Sequence, residues 1–549
     1  MTGKISIRQL SLLGLWTAIA VGLRLQQLNA KPLWADEIST LAFSLGHGFG
    51  GVPLGQLIMA DKLLQPLQVD GATTATDAAQ SLLAESNHPP LFFMLMHTWL
   101  QLTHADGSTV GLAAARSLSA LIGGLLTPLA YGLALLALRS PVAAQMAAAL
   151  MALSPFGLYL SQEARHYTLA LLWIAASLCC LADGLRRMAR GKPLPYGLVL
   201  LWTAVNGFGL ATHYFVAIAL LSEVLVLAGF MVYWRGTLKN TVRGAAGRIG
   251  LVAVGTAASG LVWIWVLVAA PNQGQLTRWI QSSWGLGDWV NPVTHTAASA
   301  ITMAYLLPIQ GVPAAAAAVS TLLLLAIALW SLWGVPWRDY PPQAAALWGT
   351  CAAAVAILWA ITYSQQIGLA QVLRYHFVYF PAFVVAVAAG LAHRWRSGRR
   401  TSRLLVAIAL LVSLAGSLSV AYNLAYQKVH RPDLVATDIA KDSAQGDIII
   451  AASHQSHGQT GRLMAIAWAL KRYPAQWPQV RFFLDPQPCA EAGEQNCGTP
   501  STKLLEALPQ GEADLWLINY VGQPNLRPYG CRYQDTDRVD GYKYQHYAC

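Results

Sequence analysis

The chain has 549 residues, 55% of them hydrophobic and only 11% charged. Soluble proteins carry about 25% charged residues, so this composition and a mean hydropathy of +0.44 exclude a soluble globular domain. The formal net charge of +11 does not indicate a nucleic-acid partner: most Arg and Lys residues fall in short loops between apolar runs, where positive charge fixes membrane topology.

A hydrocarbon core takes roughly 20 apolar residues per helix. On that criterion the predicted spans are 9–28, 113–138, 142–160, 167–185, 196–211, 215–234, 248–270, 312–334, 344–363, 375–392 and 404–422, eleven in all. The first lacks a small-residue cleavage site before "KPLW", so it reads as a retained anchor rather than a signal peptide. Segment 90–103, "PLFFMLMHTWLQLT", is apolar but short and carries His97, Thr98 and Gln101. At that length an interfacial or re-entrant helix is expected rather than a span.

Charge parity tests that expectation. With Lys4 and Arg8 inside and 90–103 not crossing, every dense basic cluster falls on the inner side, from Arg186, Arg187, Arg190 and Lys192 to Arg394, Arg396, Arg399, Arg400 and Arg403. A crossing 90–103 would put all of them outside. The outer face then holds loop 29–112, the turn "YLSQEARHYT" (159–168), loop 271–311 and everything after 422. Within loop 29–112, short helices are expected near 54–68 and 76–85.

Beyond residue 424 the character changes. Strands are predicted at 446–453, 480–485 and 513–520, and helices at 461–474 and 501–508, with the Tyr-rich segment from Cys531 to Cys549 pairing as an edge. Strand–helix alternation suggests a small α/β domain with a largely parallel sheet. The expected organisation is a transmembrane domain over 1–424, including the outer loop, and an extracytoplasmic α/β domain over 425–549. Four of the seven cysteines lie in this tail. They suggest disulfides, with proximity favouring Cys489–Cys497 and Cys531–Cys549; the pairing stays open, as does a zinc site, although the spacings do not match paired CxxC motifs. Cys179, Cys180 and Cys351 read as small buried residues of spans.

Ionisable residues near apolar segments are costly and call for a reason. On the outer face these include Asp36, Glu37, Glu85, His88, Arg116, Glu163, Arg165, His166, His213, Arg278, Asp288, Arg374 and His376. A carboxylate able to take a proton, with guanidinium groups able to grip a phosphate, makes a group-transfer site. Each has a plainer alternative: Asp36 and Glu37 as favourable charges at a helix N-terminus, Arg165 as an ion-pair partner of Glu163 or Asp36, Arg374 snorkelling to lipid phosphate, and His88 as a turn residue. Glu223, midway along a span, has no partner visible in the sequence and reads as protonated or hydrogen-bonded to a neighbouring helix. The histidines show no metal-ligand spacing.

Four segments in order, "LRLQQLNAKPLWADEIST", "ESNHPPLFFMLMHTW", "ARSLSALIGGLLTPLAYGLALL" and "ALSPFGLYLSQEARHYTLALL", resemble the polyprenyl-phosphate-sugar-dependent membrane glycosyltransferases of the GT-C class. That group includes protein O-mannosyltransferases and bacterial aminoarabinose transferases. The likeness covers roughly the first 185 residues and continues loosely through "QVLRYHFVYFPAF" (371–383); the tail resembles no family.

The resemblance implies that Asp36, with Glu37 beside it, supplies the catalytic carboxylate. It also implies that Arg165 approaches the donor phosphate and that His88 opens an interfacial helix lining the cavity. Arg374 joins as a second phosphate ligand, with Glu163, Tyr167, His213, Tyr214 and His376 as further cavity candidates. Trp34, Tyr167, His213 and Tyr214 are stacking candidates, although interfacial aromatics also serve as anchors.

The expected reaction is sugar transfer from a polyprenyl-phosphate donor to an acceptor hydroxyl on the extracytoplasmic face of the plasma (inner) membrane. The acceptor is left open between glycolipid, polysaccharide and protein; no cofactor, metal or nucleic acid is expected, and membrane lipids are the surroundings. The alternatives are a transporter or flippase for lipid-linked saccharides, and a receptor or assembly protein. Transporters tend to show repeats and broken helices, and neither is visible in the sequence. A receptor leaves the Asp-Glu pair unexplained.

Overall fold

The computed structural model describes residues 6–234, 239–269, 284–308, 312–333, 335, 337–443, 446–474, 477–486, 498–509 and 511–549. Cys489, Cys497 and Arg278 lie outside the described residues. The chain divides into two compact units: one comprises residues up to Leu28, Arg116–Ala269 and Ser282–Tyr426, the other Asn29–Ala115 and Gln427–Cys549. The outer loop thus groups with the tail and not, as expected, with the membrane helices.

In chain order the helices are α1 (Ile7–Leu25), α2 (Ala35–Ser44), α3 (Ala60–Leu64), α4 (Ala75–Glu85), α5 (Leu91–Thr103), α6 (Leu112–Leu138), α7 (Pro141–Leu153), α8 (Pro155–Ser161), α9 (Tyr167–Met188) and α10 (Tyr196–Leu210). They continue as α11 (Val216–Trp234), α12 (Lys239–Ala269), α13 (Asn291–Ala304), α14 (Ala314–Leu332), α15 (Pro342–Gln365), α16 (Phe380–Arg396), α17 (Arg400–Ala421), α18 (Pro432–Asp442), α19 (His457–Leu470) and α20 (Thr502–Glu506).

Among the described residues eight helices are long and apolar enough to cross a membrane, or nine if the bent pair α7–α8 is one span. The chain is a polytopic α-helical membrane protein, but eleven spans overstates the count. The other predicted spans are helical yet fall short for separate reasons. Arg8, Gln9 and Arg24 dilute the apolar run of α1. Helix α10 has 15 residues, about 22 Å at 1.5 Å per residue against a core of about 30 Å. The predicted span 142–160 is broken at Ser154, with a 52° bend. The described part of loop 271–311 contains a helix, α13.

A broken helix in an apolar interior must satisfy its freed backbone groups. The fully buried Arg24 donates to Ala152 O and Met151 O, at 3.1 and 2.8 Å. Ser413 and Ser417 of α17 both donate to Leu153 O. Across the break, Ser154 Oγ accepts from Gly157 N at 3.0 Å and caps α8. Glu223 also finds a neighbour: it accepts from Ser177 Oγ of α9 at 2.8 Å, and Trp202 of α10 donates to the same hydroxyl.

The second unit is built on six strands, β1 (Leu57–Met59), β2 (Asp447–His454), β3 (Val480–Pro486), β4 (Ala513–Ile518), β5 (Arg532–Val539) and β6 (Tyr542–Ala548), in the order β1-β3-β2-β4-β6-β5. Only β3-β2-β4 is parallel; β1, β6 and β5 join antiparallel. The sheet is therefore mixed rather than largely parallel. The central strand β2 is covered on both faces, which is why "IIIAA" shows no alternation. Its edge strand β1 comes from the outer loop. The Cys531–Cys549 disulfide closes the open end of the β5–β6 hairpin. Helix α5 has 13 residues, too short to cross, in line with its reading as non-spanning.

The outer loop is seated on α19 through His457, whose ring stacks on Phe49 at 5.5 Å, while Glu85 accepts from Phe49 N and Gly50 N. Burial holds the imidazole of His454 down at about 4, with His457 beside it acting in the same direction; burial also lowers His457. An unfolded histidine takes up its proton near 6.5. A depressed folded value therefore leaves stability fully present above about 6.5 and withdraws it as pH falls towards 4. Hydrogen-exchange protection of β2 and α19, corrected for intrinsic rates, should drop over that window by up to about 3 kcal/mol, and His454→Gln should flatten the dependence.

Candidate active site

The predicted site residues fall into two groups, one in each unit. In the second unit, Trp34 is the N-cap of α2, and Asp36 and Glu37 occupy its first turn, where the helix dipole favours carboxylates. Successive helical residues project about 100° apart, and the pair is split accordingly: Asp36 is half-buried and Glu37 is 0% exposed. The Lys428 ammonium lies 3.9 Å from Glu37 Oε2, with both side chains buried, and 4.8 Å from the centroid of the Trp34 ring. His430 stacks on the same Trp34 ring, at 6.1 Å between centroids and 27° between planes.

Two glycines make this assembly possible. Gly541 has φ +79°, and a Cβ there would lie 2.1 Å from His430 Cδ2. A Cβ at Gly461, at the start of α19, would touch Ala35 Cβ at 3.4 Å, so α19 packs tightly on the first turn of α2. Next to it, burial lowers the Arg462 guanidinium, while Tyr542 and Asp36 pull it back up. Sequence reading missed Lys428, His430 and Arg462. The available signal was a Lys and a His placed directly after the last apolar run.

His88 is held by its turn, with Nδ1 3.0 Å from Ser86 Oγ and its ring edge-on to Phe93.

In the first unit, Glu163 and Arg165 are buried in the turn between α8 and α9. The turn is tied to α1 by Arg24 Nε on Ser161 Oγ at 3.1 Å and by Gln162 Nε2 on Gln26 O at 2.7 Å. The Arg165 backbone accepts from Ser119 Oγ. Its guanidinium lies over the Tyr167 ring at 5.7 Å, and Tyr167 meets His213 at 5.6 Å and Phe377 at 5.7 Å. His166 also contacts His213, at 4.5 Å. From His213 the rings continue through Phe215 to Tyr375, over which Arg374 sits at 5.6 Å.

Arg165, Tyr167, His213 and Arg374 thus belong to one ladder of cation–π and ring contacts. Such stacking presents a guanidinium edge while covering its face. Tyr214 lies in the same turn as His213, and burial pushes its phenol up to about 12, so it stays protonated at neutral pH. His376 is placed differently: its ring nitrogens meet Ala370 O and Tyr379 OH, at 3.0 and 2.8 Å, which makes it a bracing residue. Arg116 likewise donates to Leu28 O at 2.6 Å. Among the described residues no group of three or more His, Cys, Asp or Glu is set to hold a metal ion.

No family model and no curated protein matches the chain. Solved structures of ArnT from Cupriavidus metallidurans do, at 12% identity over 97% of both chains, with a TM-score of 0.52 for the apo state and 0.50 with undecaprenyl phosphate bound. The chain shares the fold of ArnT. An oligosaccharyltransferase of Archaeoglobus fulgidus aligns with 92% of this chain and 67% of its own, at 14% identity and a TM-score of 0.43. The ArnT alignments cover nearly the whole chain, well beyond the segments that carried the resemblance.

The burial difference between the two carboxylates predicts different costs. Glu37→Ala strips a buried ammonium of one of its charge partners and should destabilise the second unit by about 3–5 kcal/mol. Asp36→Asn, half-exposed and isosteric, should cost under about 1 kcal/mol. Hydrogen exchange of α2 and α19 measures both.

Proposed function

We propose that the protein is a membrane glycosyltransferase that moves one sugar from a polyprenyl-phosphate carrier to an acceptor hydroxyl on the extracytoplasmic face. Asp36 is the general base. It takes the acceptor proton as the hydroxyl oxygen bonds to the anomeric carbon; the bond from that carbon to the phosphate oxygen breaks, and its electron pair leaves with the phosphate. The anomeric centre passes through an oxocarbenium-like state, and a single displacement inverts it. Arg165 and Arg374 bind the phosphate and offset its growing charge. The products are the glycosylated acceptor and polyprenyl phosphate.

The observation that carries this reading is the ladder joining Arg165 and Arg374, two guanidiniums from distant parts of the chain gathered among aromatic rings at the ends of apolar helices. Arginine forks suit phosphate oxygens, and aromatic faces suit sugar and isoprenyl groups. The shared fold adds a ligand: ArnT has been crystallised with undecaprenyl phosphate. Two arginines can neutralise a monophosphate, so the proposal routes no step through a metal.

The bend between α7 and α8 revives the transporter alternative, since broken helices mark transporter sites. Here, however, the carbonyls at the break accept from Arg24, Ser413 and Ser417. They are consumed by the protein's own side chains, which favours a rigid turn over an ion site.

The test presents the purified protein in nanodiscs with undecaprenyl phosphate carrying radiolabelled hexoses or pentoses as a panel, each offered acceptor hydroxyls as glycolipid, polysaccharide and protein. Asp36→Asn should lower kcat by about 10²–10⁴-fold while undecaprenyl phosphate still binds; full activity would remove the base. Arg165→Ala and Arg374→Ala should each weaken undecaprenyl phosphate binding by about 10- to 100-fold. Unchanged affinity in both would reject the phosphate assignment.

A further inference from the structure

Asp36 needs more than the right side chain; it needs a fixed direction. It lies between two residues that a single buried ammonium grips. Lys428 sits 4.8 Å from the ring of Trp34, the N-cap, and 3.9 Å from the carboxylate of Glu37. The grip brackets the first turn of α2 on both sides of Asp36. We propose that Lys428 is a positioning residue for Asp36, acting through Glu37 and Trp34, and that Glu37 is its anchor rather than a second base. The proposal rests on the transferase reading above, with Asp36 as base.

Three features carry it. First, Glu37 and the Lys428 side chain are 0% and 2% exposed. Placed there, neither can exchange protons with an acceptor in solution, whereas the half-buried Asp36 can. Second, a buried charge is tolerated only with a partner. Losing the Lys428 ammonium removes a positive charge 3.9 Å from the buried Glu37 carboxylate and, with it, a contact on the Trp34 ring, so the first turn of α2 loses a tie on both sides of Asp36. Third, the lysine is not loosely placed. Two residues on, His430 stacks on Trp34 and meets Tyr542 edge-on at 6.1 Å. Tyr542 in turn donates to the backbone of Arg462 in α19, the helix that packs on Ala35. The segment 428–430 is therefore locked in register with the turn it supports. The α/β tail, whose part the sequence left open, thereby becomes a component of the acidic site.

The experiment uses full-length protein in nanodiscs and the donor of the panel that the wild type turns over, with undecaprenyl phosphate as binding probe. Lys428→Met should lower kcat by about 10- to 100-fold while the donor KM and undecaprenyl phosphate affinity stay within about twofold. Lys428→Arg, which keeps the charge, should recover kcat to within about threefold of wild type. Glu37→Gln should lower kcat, and the double variant Lys428→Met/Glu37→Gln should be no worse than the poorer single variant, because both act through one interaction. Should Lys428→Met not fold, Lys428→Arg and the double variant, which removes both charges, decide the matter.

Unchanged kcat in Lys428→Met, or losses that multiply in the double variant, would overturn the proposal. So would weakened undecaprenyl phosphate binding with kcat intact, which would make Lys428 a donor ligand. A wild type that turns over no member of the panel rejects the transferase reading itself, and is thereby told apart from a failure of Lys428 alone.

Discussion

Everything around the "SQEAR" turn depends on Arg24. A guanidinium with no exposure, at the end of the first helix, supplies donors where α7 stops: to Met151 O, to Ala152 O and to the hydroxyl of Ser161. In an apolar interior each of those carbonyls, left alone, would cost several kcal/mol. Arginine suits the task because its planar fork reaches several acceptors at once. With the break satisfied, α8 sets off at 52° and ends in the turn that carries Glu163, Arg165 and His166. A bend of that size usually reads as flexibility; here it is fixed at both ends by named donors.

The same rule, that buried polar groups need partners, divides the labour of the acidic pair. Two adjacent carboxylates in a first helical turn look equivalent in sequence. Helical geometry makes them inequivalent, because one must face the packed side. Glu37 faces it and has an ammonium; Asp36 remains partly in contact with the surroundings. Chemistry that requires proton exchange is available to the second and not to the first.

What was legible in the sequence was whatever depends on local period and composition. Apolar length identified the membrane helices, and strand–helix alternation identified β2, α19, β3, α20 and β4 nearly in place. Apolar length alone could not show that a buried Arg24 ends α1, that Ser154 and Pro155 break a span, or that α10 is too short. The sheet was misjudged because strand direction is a tertiary property: β6 and β5 return antiparallel through a tight hairpin, and β1 is only three residues long. The candidate residues Arg165 and Tyr167 were visible through the turn's unusual charge in an apolar setting. Lys428 was not, since its partner Glu37 is nearly four hundred positions away and no periodicity links them.

That distance bears on how the acidic site is assembled. Strand β1 lies in the outer loop, yet it pairs with β3 of the tail, and the first turn of α2 packs on α19. The loop alone therefore offers a three-residue strand and a helix start that lacks the Lys428 ammonium beside its buried carboxylate. Neither is stable by itself. Because long-range contacts must pay their loop-closure entropy before they return any stability, the acidic turn reaches its final form only when the tail joins it. The acidic turn is therefore incomplete until the last quarter of the chain is in place, and the covalent hairpin closure at Cys531–Cys549 acts on that same late-arriving unit.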